Sequence, residues 1–148
     1  MTSLAHTGLT VRDLERSLAF YRDALGMEVV FEQEKRGGYL AEIVGYPDAH
    51  VRMAHLQFPG GGHRVELFEY VNPTPQGDPG EPRDVGITHV CLAVDDIDAL
   101  FERVVAAGAS SISEPVLVDT GANAGGRGVY VRDPDGTLLE LFQPPEGR

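Results

Sequence analysis

Hydrophobic and polar positions along this chain change period twice, in the same order each time. From His6 a short alternating run leads to Asp13, after which Leu14, Leu18, Tyr21 and Leu25 recur at three- and four-residue spacing. Alternation predicts a half-buried strand and the wider spacing a helix over about 13–24, with Asp13 as N-cap and Gly26 as its stop. From His89 the same order returns: an alternating run to Asp96, then Ile97, Leu100, Phe101, Val104 and Val105 on one helical face, then Gly108. The two segments, His6 to Leu14 and His89 to Ile97, are offset by 83 residues. Strands are expected at Met27 to Gln33, Ala54 to Phe58 and Arg64 to Tyr70 in the first half. In the second they are expected at Ile112 to Val116, Gly128 to Arg132 and Thr137 to Gln143. Gly60-Gly61-Gly62 and Asp133-Pro134-Asp135-Gly136 are the turns before the last strand of each half. Both halves therefore read β-α-β-β-β, an α+β module written twice.

Between the halves, 72–84 is rich in proline and glycine and is read as a linker. Module one is placed at 4–71 and module two at 85–144, together making one domain over 1–148. Module one carries an extra middle section, Arg36 to His50, with the character of a lid or a dimer contact. The glycine-containing stretch Asp119 to Arg127 reads as a mobile loop, without the strand-then-helix context of a dinucleotide site.

Composition narrows the function classes. With 148 residues, 42% apolar and 24% charged, the chain can bury a core. Twelve basic against 23 acidic residues give a net charge of −11, which opposes nucleic-acid and anionic-membrane binding. No apolar run approaches the roughly eighteen residues of a membrane span, and the first residues lack signal-peptide character. One cysteine makes no internal disulfide, so a reducing, cytoplasmic setting is expected.

Four polar residues sit where strands are expected: His6 and His89 at the start of the first strand of each half, Glu66 and Glu140 in the last. Alternation puts Glu66 on one face with Phe68 and Tyr70, and Glu140 with Phe142. A carboxylate near a sheet interior is costly unless it is paired or metal-bound. The nitrogen–oxygen set suits Zn, Ni, Fe, Mn or Co. The plainer alternative is four separately accommodated polar side chains. Symmetry weighs for the metal, because His55 and His63 have no counterpart in the second half and read as surface or packing residues.

These motifs, with Ser17, Phe20-Tyr21-Arg22, Leu25-Gly26, Val65-Glu66-Leu67-Phe68 and Gly86-Ile87-Thr88-His89-Val90, resemble the vicinal oxygen chelate superfamily of glyoxalases, bleomycin-resistance proteins and dioxygenases. The resemblance covers almost the whole chain. It implies paired βαβββ modules forming a curved mixed sheet around a metal-containing cleft, with His6, Glu66, His89 and Glu140 as ligands of a divalent ion. That set is most similar to bacterial glyoxalase I, which implies a metal-dependent lyase or isomerase working by proton transfer with enediolate stabilisation. Glu140 or Glu66 would be the base, with Phe68, Tyr130, Phe142 and Arg127 lining the substrate pocket. The alternatives are an epimerase of methylmalonyl-CoA type, an extradiol-type dioxygenase, and a non-enzymatic drug-binding resistance protein. Thr2 to Ala5 are uncharged, so a basic contact to glutathione just before His6 is missing. A small-molecule substrate and a homodimer are expected.

Overall fold

Both alternating runs form strands, and both wider-spaced runs form helices, in a computed structural model that describes residues 1–147. The chain falls into two units, one spanning Met1–Gly77 and one beginning at Asp78. The first contains β1 (His6–Val11), α1 (Leu14–Leu18), β2 (Glu28–Arg36), α2 (Gly38–Val44), β3 (His50–Gln57) and β4 (Arg64–Asn72). Its four strands are ordered β1-β4-β3-β2, with β1 parallel to β4 and the other pairs antiparallel. The second contains β5 (Val90–Ala93), α3 (Ile97–Ala106), β6 (Ser110–Ser111), β7 (Val116–Leu117), β8 (Arg127–Arg132) and β9 (Leu138–Gln143). Here the order is β5-β9-β8-β6, β7 pairs with β8, and β5 runs parallel to β9. Each unit is a βαβββ module.

The helices begin where capping chemistry allows. Asp13 accepts from the Arg16 N–H, and Asp96 from the Ala99 N–H. The first helix widens into a π-helical turn over Ala19–Ala24, which seats Phe20 and Tyr21 side by side in the core. Leu14, Leu18, Val65, Leu67, Ala54 and Leu56 fill that core, and Ile97, Leu100, Val104, Leu139 and Leu141 fill the other. The repeat extends to one polar detail. Glu69 in β4 accepts from the Leu14 N–H, and Gln143 in β9 accepts from the Ile97 N–H. Each last strand thus ties down the first turn of its own module's helix.

Two strand expectations differ from what is seen, and the middle section gains a helix. The strand expected at Ile112 to Val116 is split into β6 and β7, which flank it. Pro115 cannot donate to a ladder, and the Ser111 hydroxyl donates instead to the carbonyls of Ser113 and Tyr130. The strand expected from Ala54 begins earlier, at His50. The middle section Arg36 to His50 contains α2, whose Leu40 packs on Val51 and Met53 with Val44, Phe68 and Tyr70 around them.

Candidate metal and proton-transfer site

The register of β4 decides which face each acidic residue takes. Glu69 pairs with Arg52 of β3 and faces the helix, where it also receives the Arg52 guanidinium at 3.2 Å. Glu66 alternates to the opposite face. There the first unit forms a cavity of about 460 Å³, whose lining includes His6, Gly8, Gln33, Glu66, Phe68 and Tyr70, with Tyr39 and Ile43 of α2 as an apolar wall. A larger hollow of about 660 Å³ shares Thr10 and Tyr70 with it, but is otherwise lined by Tyr46 and 73–76 and carries no His–Glu pair.

In the first unit His6 Nε2 stands 3.5 Å from Glu66 Oε2. The second unit repeats the arrangement: His89, the residue just before β5, places Nε2 3.1 Å from Glu140 Oε2. Two atoms bound to one ion at about 2.1 Å each stand roughly 3–3.5 Å apart, so both pairs have the spacing of neighbouring ligands. The carboxylate sits against a bare glycine: a Cβ on Gly8 would be in van der Waals contact with Glu66 Oε2, at 3.5 Å. Imidazole nitrogen and carboxylate oxygen together suit a borderline divalent ion. Among the described residues no three His, Cys, Asp or Glu side chains converge as one ready cage. Each unit holds one His–Glu pair of its own.

The pocket residues read from the sequence divide. Phe68 lies on the Glu66 face, tilted against Tyr70 with ring centres 5.0 Å apart. Tyr130 pairs directly with Glu140 across the β8–β9 ladder and meets the His89 ring edge-on at 5.1 Å. Phe142 lies over the backbone of Gly128, where an added Cβ would come within 3.7 Å of its ring. Arg127 is a correction. Alternation sets it on the helix side of β8, away from Glu140, and its guanidinium is engaged by Asp98 of α3 and by the Pro115 carbonyl. Arg132 is likewise committed, to the carbonyls of Gly136 and Gly80.

His55 has no counterpart in the second half, so the repeat does not point to it. It is buried at 8% exposure, pairs with Glu66 across the β3–β4 hairpin, and places Nε2 2.9 Å from Glu66 Oε1. The signal was the hairpin register, not the symmetry. His63 bonds to the Thr7 hydroxyl at 2.8 Å. Around Glu140, burial raises the Tyr130 phenol above its ordinary value, and the nearby Glu140 charge adds to this. Burial likewise raises the Cys91 thiol, again helped by Glu140. Both groups therefore keep their protons at neutral pH. Tyr70 is raised in the same sense, by burial first and then by Tyr46 and Glu66.

The family model described as Glyoxalase/Bleomycin resistance protein/Dioxygenase superfamily matches residues 3–141. The chain belongs to this superfamily. Among its relatives, a 2-epi-5-epi-valiolone epimerase from Actinomyces is 31% identical over 146 residues, covering 96% of this chain and 79% of the relative. A lactoylglutathione lyase from Haemophilus influenzae is also 31% identical, covering 95% of this chain and 91% of the relative. Among solved structures, a glyoxalase family protein from Bacillus cereus superposes with a TM-score of 0.86 at 22% identity, over 98% of this chain and 95% of that one. That likeness is one of fold. A glyoxylase/bleomycin resistance protein/dioxygenase domain from Frankia gives a TM-score of 0.70 at 25% identity, covering 100% and 96%. The superfamily therefore includes relatives of this chain named for two different reactions, a lyase and an epimerase.

Proposed function

We propose that this chain is a metal-dependent lyase or isomerase that takes a small substrate through two adjacent oxygens and moves a proton between neighbouring carbons. The observation that carries this is the repeated pair, His6 with Glu66 and His89 with Glu140, each joining the start of a βαβββ module's first strand to its last strand. These four residues would hold one divalent ion of the Ni, Zn, Fe, Mn or Co type, drawn from both modules of one chain or across a homodimer. When bound, such an ion supplies Lewis-acid polarisation of the substrate's adjacent oxygens. The protein's own part is to move the proton and keep water out. A carboxylate at Glu140 or Glu66 accepts the proton from the carbon beside the carbonyl and returns it to the neighbouring carbon. Tyr130, held protonated beside Glu140, can donate a hydrogen bond to a developing oxyanion. Phe68, Met53 and the apolar wall of α2 restrict water on the Glu66 side.

A second reading, an epimerase, uses the same carboxylates but returns the proton to the carbon it left, from the opposite face. Two observations favour it: the Actinomyces relative named as an epimerase, and a Glu66 cavity whose described lining contains no lysine or arginine. Neutral or weakly charged substrates suit such a lining better than a glutathione adduct.

The test is turnover after metal loading, first with methylglyoxal plus glutathione and then with epimerase substrates, wild type against Glu140→Gln. Loss of at least about 100-fold in kcat is expected for the variant, since a positioned acid or base contributes that much or more. Full activity in Glu140→Gln, or no metal uptake by the wild type, overturns the reading.

A further inference from the structure

The two His–Glu pairs are alike, but their neighbours are not. Opposite Glu66 across the antiparallel ladder stands His55, and opposite Glu140 in the same way stands Tyr130. Directly opposite residues share a face, so each neighbour belongs to its carboxylate's surroundings. On the parallel side, Glu66 meets Gly8, which has no side chain, while Glu140 meets Cys91.

We infer that His55 is a positioning residue that takes one oxygen of Glu66 and leaves only the other to face His6, so that Glu66 is held while Glu140 is left freer to turn. A carboxylate can only accept, so the 2.9 Å contact to Oε1 requires the proton on His55 Nε2. Oε2 is then the atom turned toward His6. The imidazole is seated by packing: Phe31, its partner on β2, stacks on it with ring centres 4.4 Å apart. Its Nδ1 is buried with no hydrogen-bond partner. Burying that atom unpaired is unfavourable, and a ring kept there for packing alone would be better as an apolar one. Retaining a nitrogen heterocycle at this place is explained by the bond that Nε2 makes to Glu66. Tyr130 makes no equivalent clamp, its ring turning edge-on to His89, and the donor beside Glu140 is instead the Cys91 thiol, a much weaker one than an imidazole N–H. The inference rests on Glu66 acting as a ligand, and it makes Glu140 the carboxylate suited to accept and return the substrate proton.

The test uses the full chain and two readouts. In metal-free protein, a slowly exchanging imidazole N–H resonance is expected, assigned to His55 by its loss in His55→Gln and shifting upfield in Glu66→Ala. No such resonance, or one indifferent to Glu66→Ala, overturns the inference. On titration with Co(II), followed by its visible absorption and by calorimetry, His55→Phe is expected to bind about 10–100-fold more weakly, the usual cost of removing a group that orients a ligand. His55→Gln, which keeps a donor, should recover most of the affinity. Wild-type affinity and absorption in His55→Phe would overturn the inference. A wild type that binds no Co(II) while the His55 resonance still answers to Glu66→Ala supports the hold on Glu66 and strikes the metal reading instead.

Discussion

At the scale of single residues, Glu66 and Glu69 show how little residue type decides. They lie three apart on one strand, and pleating sends them to opposite faces. Glu69 caps the first turn of α1 and holds Arg52, whose guanidinium also reaches Glu15 at 2.6 Å. Glu69→Ala should therefore cost about 1.5–3 kcal/mol, the range for a hydrogen bond to a charged group, measured by urea unfolding. It should leave metal uptake unchanged. Gly8→Val should do the reverse, with little loss of stability and weakened metal uptake, because its Cβ would already touch Glu66 Oε2 and the branch adds bulk beside that contact. Equal metal binding in wild type and Gly8→Val would count against the Glu66 site. The sequence made Glu66 legible through its match to Glu140. It hid His55, because that residue's importance lies in a cross-strand pairing and the second module places Tyr130 there.

At the scale of elements, caps and turns were the readable part, because their chemistry is local. Asp13→Ala and Asp96→Ala should each cost about 1 kcal/mol in chemical denaturation, as N-cap losses do. Gly136 closes the turn before β9 at φ +90°, and a Cβ there would clash with the Pro79 ring. Gly136→Ala should then destabilise by more than about 1 kcal/mol, from the backbone conformation and the clash together. The Asp98–Arg127 pair joins α3 to β8, and its hydrogen bond, with the Arg127 charge behind it, holds the Asp98 carboxyl below its ordinary value. Its contribution is present at neutral pH and is lost as pH falls through that depressed value. The thermal midpoint of Asp98→Asn should lie slightly below wild type at pH 7 and converge with it under strong acid; the effect is small because the pair is exposed. Where reading by elements failed, at 112–116, a proline and a serine hydroxyl had displaced the ladder.

At the scale of the whole molecule, charge is the property most open to test. A net charge of −11 repels an anionic substrate, and salt screens that repulsion over about 10 Å at 0.1 M. If turnover is of a glutathione adduct, kcat/KM should rise with ionic strength; for a neutral substrate it should stay flat. Stopped-flow or steady-state rates across a salt series separate the lyase reading from that of a neutral-substrate epimerase. Among the described residues, no helix is long and apolar enough to cross a membrane.

The sequence by itself determined the module and its repetition, because period, caps and glycine stops are written in neighbouring residues and recur in order. It also marked His6, Glu66, His89 and Glu140, since a polar residue in an apolar strand stands out. Tertiary structure alone decided what each residue faces. Strand register joined His55 to Glu66 and turned Glu69 toward a helix, and it carried Arg127 away from Glu140 into the hold of Asp98. Pairing across a sheet joins residues that are distant in the chain, and the pleat then assigns each one a face.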